Sequence, residues 1–363
     1  MIATLLSLLG GLALLIAGGE LLVSGAARLA LRFGIPPLVI GLTVVAFGTS
    51  APELVVTLDA ARQGGGAADL ALGNVVGSNI FNVLFILGLC ALIAPLTVGL
   101  RMIRTEVPLM IAASALLLWF SRDGMINRIE GGLLFIALIA YVAFTLRHAR
   151  AAAKAELAAG DAAPPPAPPA GVAGQLLRII GGLAVLVLGA HWLVSGATDV
   201  ARILGISETI IGLTIVAAGT SMPEVAASIM ATVRGQRDMA VGNVIGSNLF
   251  NILAVTGLAA LIAPHGIPAV ASIRAFDGPV MLAVAIACLP IFFTGYRIAR
   301  WEGGVFLGYY IAYVGYLILG ATAHDSLDAY SDVMLLFVVP LTLLTLGLSL
   351  YRALFHAPRQ PGG

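Results

Sequence analysis

The chain has 363 residues, of which 60% are apolar and 10% charged, with a mean hydropathy of +1.04 and a net charge of +1. Soluble domains carry about 25% charged residues, so this composition excludes an ordinary soluble protein and indicates a polytopic membrane protein. No basic stripe offers a footing for nucleic acid. The two cysteines, Cys90 and Cys288, lie in apolar runs and read as packing residues, not as a disulfide framework.

A bilayer core needs about 20 apolar residues per helix. Eleven segments qualify, at 2–24, 36–61, 70–93, 105–120, 130–147, 175–198, 207–233, 239–263, 276–294, 303–322 and 332–353. The first starts at Ile2 without a positive leader or an A-x-A cleavage site, so it reads as a retained helix and not a signal peptide. Between the fifth and sixth lies the longest polar stretch, 148–174, with APPPAPPA from Ala163 to Ala170. Proline favours extended, semi-rigid structure there, and the stretch reads as a cytoplasmic linker joining residues 1–147 to 175–322. Residues 323–363 hold the eleventh span and a tail. With the N-terminus outside, Lys and Arg divide 14 inside against 5 outside. The positive-inside rule selects that orientation, with the C-terminus cytoplasmic and the inner membrane of a bacterium as the site.

The two halves are copies. GLTVVAFGTSAPE, Gly41 to Glu53, recurs as GLTIVAAGTSMPE, Gly212 to Glu224, with 10 of 13 positions identical. GNVVGSNIFN, Gly73 to Asn82, recurs as GNVIGSNLFN, Gly242 to Asn251, with 8 of 10 identical. Upstream, Gly10 to Ala27 matches Gly181 to Thr198. Each copy holds five spans. Five is odd, so the second copy enters the membrane from the opposite side. The fold expected is all-α, two inverted five-helix repeats plus one extra C-terminal transmembrane helix, an architecture common among secondary transporters.

Within the first block, Pro52 and Pro223 lack an N–H and disfavour helix at the preceding residue. They should break their spans at Thr49–Ala51 and Thr220–Met222 and free carbonyls near Ala46 and Ala217. Irregular backbone at membrane depth is tolerated only where it lines a cavity or is buried in protein. Glu53 and Glu224 stand beside these breaks, and a carboxylate at that depth is a functional group by default. With the hydroxyls of Thr49, Ser50, Thr220 and Ser221 they make a set of hard oxygen ligands, suited to Ca²⁺ or Na⁺ and not to soft metals. The second block adds Ser78, Asn82, Ser247 and Asn251. Asn74, Asn79, Asn243 and Asn248 read as structural. Glu20 and His191, at matching positions in the first and sixth spans, read as lying toward the aqueous ends, as does Asp59. Gly18 and Gly189 read as helix-packing positions. Two carboxylates balance one Ca²⁺ and underbalance three Na⁺ by one charge, which suits alternate occupation by one divalent or several monovalent ions.

The paired GTS-x-P-E and GN-x-x-GSN-x-x-N blocks resemble the α-repeats of the cation/Ca²⁺ exchanger superfamily, specifically the bacterial and archaeal Na⁺/Ca²⁺ exchangers, over about residues 5–320. The resemblance implies ten core helices, sliding of the first and sixth across a fixed bundle, four central ion sites, no cofactor, and Ca²⁺ and Na⁺ as transported ions. It implies acidic ligands at Glu53 and Glu224, hydroxyl ligands at Thr49, Ser50, Ser78, Thr220, Ser221 and Ser247, carbonyl ligands at Ala46 and Ala217, and Asn82 and Asn251 at the remaining central positions. Asn251 stands where some Na⁺/Ca²⁺ exchangers and the K⁺-dependent branch carry Asp. The eleventh span is a second departure.

The nearest competing function is a Ca²⁺/H⁺ antiporter of the same fold, with Glu53 and Glu224 carrying protons. A channel would need one continuous pore, whereas breaks in both inverted halves fit alternating access. An intramembrane hydrolase using Ser50 or Ser221 would need a general base. His191 alone of the five histidines falls well inside a span, and no Lys accompanies these serines.

Overall fold

The computed structural model describes residues 2–158 and 171–355. The first repeat comprises α1 (Ile2–Phe33), α2 (Pro37–Thr49), α3 (Ala51–Gln63), α4 (Ala68–Ile93), α5 (Met102–Phe120) and α6 (Arg128–Ala158). The second comprises α7 (Val172–Ile203), α8 (residues 208–219), α9 (Met222–Val233), α10 (Arg237–Ile262), α11 (Ile273–Phe293) and α12 (Arg300–Ala321). A thirteenth helix, α13 (Leu327–Thr345), follows. Helices α2 and α3 form one span bent by 44° at Ser50, and α8 and α9 repeat that break at Thr220 and Ser221. Among the described residues nine helices are long and apolar enough to cross a membrane and the bent α2–α3 pair makes a tenth span, with α8 and α9 as its shorter copy in the second repeat.

Most helices outrun their apolar segments. α1 continues to Phe33 past Arg28 and Arg32, and α5 and α11 begin at Met102 and Ile273, before the apolar runs start. Arg side chains snorkel to the interface while their backbone stays helical, so the fall in hydropathy comes before the helix end. α6 likewise runs to Ala158, into the stretch read as linker, and α7 starts at Val172. The Ala163–Ala170 proline run and the tail beyond Phe355 lie outside the described residues.

Short strands close the two ends of the bundle and reveal the inversion. β1 (Leu96–Thr97) and β4 (Arg297–Ile298) pair antiparallel at one face, where Thr97 also donates to Asp238. β2 (Met125–Ile126) and β3 (Ile267–Pro268) pair at the other, where Arg128 donates to the Ala263 carbonyl. Each sheet takes one strand from each repeat, as a two-fold axis in the membrane plane requires. The first is called the Arg28 face below, the second the Arg122 face.

α1 and α7 run antiparallel in close contact. A Cβ at Gly18 would lie 2.8 Å from the Leu186 nitrogen, and one at Gly189 2.8 Å from the Leu15 nitrogen. Only glycine permits that approach, so these two positions serve packing between the paired long helices. The main core cluster, from Leu42 through α4, α5, α10 and α11 to Phe306, lies to one side of this pair. α4 and α10 are the most enclosed spans, 72% and 83% buried, against 33% and 28% for α1 and α7. Helix α13 docks through side chains, Tyr309 donating to Thr342 at 2.5 Å and Tyr330 to the Ala312 carbonyl at 2.8 Å.

The helices contain wide, π-type turns in matching pairs: Gly41–Val45 with Gly212–Val216, Asn82–Leu87 with Asn251–Thr256, and Met102–Glu106 with Ile273–Asp277. Such turns shift the helical register and cluster at functional sites. Here the first pair delivers Ala46 and Ala217, and the second opens on Asn82 and Asn251.

Candidate cation site

Glu53 and Glu224 sit in the first turns of α3 and α9, immediately after the breaks, and both are fully buried. Proline at the second residue of each helix is compatible with that start, because its missing N–H would have no partner there. Each carboxylate is met by the serine of the other repeat. Ser221 donates to Glu53 Oε1 at 2.8 Å, and Ser50 donates to Glu224 Oε1 at 3.2 Å. Ser78 Oγ lies 3.1 Å from Ser221 Oγ. The crossed pairing places both acids at one centre on the pseudo-two-fold axis.

Around this centre α4 and α10 cross through four asparagines. Asn82 Nδ2 donates to Asn248 Oδ1 at 2.9 Å, and Asn251 Nδ2 to Asn79 Oδ1 at 3.1 Å. Asn79 and Asn248 also donate to each other's carbonyls, both at 3.3 Å. Thr49 donates to Asn243 Oδ1 at 3.3 Å, and Thr220 to Asn74 Oδ1 at 3.4 Å. The far ends of those amides reach Ser228 Oγ at 2.9 Å and Thr57 Oγ1 at 3.0 Å.

Among the described residues of this core, five buried oxygens have no hydrogen-bond partner: Glu53 Oε2, Glu224 Oε2, Asn82 Oδ1, Asn251 Oδ1 and Ser247 Oγ. A buried polar atom left unpaired costs about 1–3 kcal/mol, more if charged. With the acids ionised, four of the five can only accept, so a hydrogen-bond donor or a cation would satisfy them, and the two unbalanced carboxylates favour the cation. Neither carboxylate makes an ion pair with Arg or Lys among the described residues. Nor does any trio of His, Cys, Asp and Glu come together there. Two acids completed by hydroxyls and amides suit a hard cation that is held and released.

Ten of the twelve residues singled out from the sequence line or adjoin this core: Glu53, Glu224, Ser50, Ser221, Ser78, Thr49, Thr220, Asn82, Asn251 and Ser247. Ala46 is buried beside it, but its carbonyl accepts the Ser50 N–H at 3.0 Å. The Thr49 hydroxyl also lies 3.4 Å from it, so the proline break does not free that carbonyl outright. Ala217, its counterpart, is exposed. Thr57 and Ser228, fully buried, went unnoticed in the sequence. Their signal is spacing, one helical turn past each Glu on the same face. Glu20 reaches the solvated end of α9, where Arg234 clasps it at 2.6 and 2.8 Å. Asp59 is exposed and accepts from Gln63 at 2.6 Å.

The two broken spans are packed differently. A Cβ at Gly41 would lie 2.6 Å from the Met239 carbonyl, one at Gly242 2.8 Å from the Leu38 carbonyl, and one at Gly246 2.7 Å from the Leu42 carbonyl. α2 is thus sealed against α10. At the related positions Gly212, Gly73 and Gly77, nothing lies within 4 Å. α8 packs less closely on α4, so the core is tightly sealed toward the Arg28 face and loosely packed toward the Arg122 face.

The family described as "Sodium/calcium exchanger protein" matches residues 3–147 and 174–319. The sodium/calcium exchanger MaX1 of Methanosarcina acetivorans is 32% identical over 343 residues, covering 85% of this chain and 97% of its own length. Inner membrane protein YrbG of Escherichia coli is 40% identical over 290 residues, covering 77% and 85%. The solved structure of the sodium-calcium exchanger NCX_Mj soaked with zero Na⁺ and Ca²⁺ superposes with a TM-score of 0.74 at 31% identity, covering 87% of this chain and 99% of that one.

Proposed function

The chain belongs to the sodium/calcium exchanger protein family, within the cation/Ca²⁺ exchanger superfamily, and is a multi-pass membrane protein built for cation/Ca²⁺ antiport; on that premise we propose that it exchanges Ca²⁺ for Na⁺ by alternating access across the inner membrane. The observation that carries this is the pair of fully buried carboxylates, each held by the other repeat's serine and neither balanced by a cationic side chain.

We assign Glu53 and Glu224 as the acidic ligands. The hydroxyls of Thr49, Ser50, Ser78, Thr220, Ser221 and Ser247, the amides of Asn82 and Asn251, and the carbonyls of Ala46 and Ala217 complete the set. The Ala217 contribution requires α8 to close on α4. Two carboxylates cancel one Ca²⁺, which favours that occupancy at low dielectric. Three Na⁺ leave one surplus charge, so exchange of three for one is electrogenic. The arginine asymmetry makes the Arg28 face cytoplasmic, with the N-terminus outside and the C-terminus inside. The loosely packed side then faces outward, and the inward-open state is reached when α8 seals on α4 and α2 leaves α10.

One observation favours a second reading, a Ca²⁺/H⁺ antiporter. Asn251 leaves the site with two titratable groups, enough to carry two protons per Ca²⁺ without a sodium ion.

Purified protein in liposomes loaded with Na⁺ should take up ⁴⁵Ca²⁺ when Na⁺ flows out. An inside-positive potential should speed that uptake, since each cycle moves one positive charge outward, at about 2.3 kcal/mol per 100 mV. Uptake that follows a pH gradient and ignores Na⁺ would replace this reading with the proton-coupled one.

A further inference from the structure

A hydroxyl has one proton and two lone pairs. To ligate a cation it must send its proton elsewhere. In this core the Thr49 hydroxyl lies within reach of Glu224, Asn243 Oδ1 and, one turn back, the Ala46 carbonyl at 3.4 Å, and the Thr220 hydroxyl within reach of Glu53 and Asn74 Oδ1. Donation to the carboxylate would set the proton against the ion. Donation to the asparagine carries it away.

Which acceptor wins depends on how each amide is turned. Asn243 presents Oδ1 to Thr49 because its Nδ2 donates to Ser228 Oγ at 2.9 Å. Asn74 presents Oδ1 to Thr220 because its Nδ2 donates to Thr57 Oγ1 at 3.0 Å. The two relays are related by the pseudo-two-fold axis, and each crosses between repeats. One runs from α9 through α10 to the break after α2, the other from α3 through α4 to the break after α8. Ser228 and Thr57 lie in the turn following Glu224 and Glu53, so the helix that carries each acid also orients the hydroxyl opposed to the other repeat.

We propose that Ser228 and Thr57 are positioning residues that, by fixing the amides of Asn243 and Asn74, aim the lone pairs of Thr49 and Thr220 at the transported cation. The inference rests on the antiport reading. Without Ser228 the Asn243 amide can turn over. Its Nδ2 then occupies a Thr49 lone pair, and the threonine hydroxyl turns to donate its hydrogen bond to Glu224. The loss falls on ion affinity and leaves the conformational cycle intact.

The test is ⁴⁵Ca²⁺/⁴⁰Ca²⁺ exchange in proteoliposomes without Na⁺, which reads ion binding whatever the coupling ion. Ser228→Ala and Thr57→Val should raise KM for Ca²⁺ on the order of tenfold, the range for loss of a group that orients a metal ligand, with maximal rate within about twofold of wild type. Ser228→Thr and Thr57→Ser should restore KM. In a Thr49→Val background, Ser228→Ala should add little, since coupled sites are not additive. An unchanged KM in Ser228→Ala, or a KM effect that adds in full to Thr49→Val, would overturn the relay. If wild-type protein performs no Ca²⁺ exchange, the antiport reading falls first and takes the relay with it.

Discussion

Helices α2 and α8 are spelled almost alike, GLTVVAFGT against GLTIVAAGT, and occupy opposite environments. Val45 is 1% exposed where Val216 is 50%, and Ala46 is buried where Ala217 is exposed. A near-identical sequence that packs in one half and stands open in the other has not been forced into either state by its own composition. The glycines that admit α2 to α10 have unoccupied equivalents on α4 and α8, ready for the mirror-image contact. Duplication thus supplies two closures of similar strength, and a cycle that alternates between them needs only a small free-energy difference.

The largest expected effect tests whether the halves are equal at the centre. Glu53→Gln and Glu224→Gln should each abolish Ca²⁺ transport, because removing one partner of a buried charge pairing costs about 3–5 kcal/mol, more than a hundredfold in binding. ⁴⁵Ca²⁺ flux in proteoliposomes checks it. Wild-type-like flux from either variant would remove that carboxylate from the site, and unequal losses would break the symmetry.

A glycine pair separates the two closures. Gly246→Val places a methyl on the Leu42 backbone, so it should lower stability by about 1–3 kcal/mol and stop transport. Gly77→Val meets open space and should leave thermal stability within about 0.5 kcal/mol while still stopping transport, because α8 can no longer seal on α4. Melting curves in detergent, beside flux measurements, distinguish them. Equal destabilisation by both would mean that α8 spends its time packed on α4.

Accessibility sharpens the same contrast. With Cys90 and Cys288 replaced by Ala, Val216→Cys should react with a membrane-impermeant maleimide added at the Arg122 face, and Val45→Cys should resist it from both faces. Ready labelling of Val45→Cys would show that α2 leaves α10 at rest.

The smallest effect concerns the Glu20–Arg234 pair, which ties α1 to the closed end of α9. The related positions hold His191 and Gln63, so only one closure has this clasp. Arg234 is 58% and Glu20 35% exposed, which limits the pair to about 0.2–1 kcal/mol. Glu20→Gln should slow Val216→Cys labelling by no more than about fivefold, and high salt should mimic it in the wild type. A loss of transport as large as that from Glu53→Gln would give the pair a different role.

Much of this was legible from residue order. Proline after GTS marks the helix breaks, the odd number of spans per copy marks the inversion, and two acids in apolar sequence mark the centre. Hydropathy misplaced the helix ends at Arg28, Met102 and Ala158, because a charged side chain can leave the bilayer while its backbone remains helical. Thr57 and Ser228 were passed over because a lone hydroxyl in an apolar helix has no signature until its partner on another helix is known.

What the sequence by itself determined is local and repetitive: span number, break position, oxygen chemistry and the pairing of every feature with a copy, all of which follow from composition and covalent geometry. Tertiary structure decided which serine meets which carboxylate, how Asn74 and Asn243 turn, and which of two nearly identical half-helices is sealed. The crossed pairing depends on contacts between segments 140 or more residues apart, the amide turns depend on hydroxyls 15 and 17 residues back on the preceding helix, and no periodicity within any one segment records them. The asymmetry least of all could be read in advance, because the same block of sequence is compatible with both environments and only the packing of α10 against α2 selects between them.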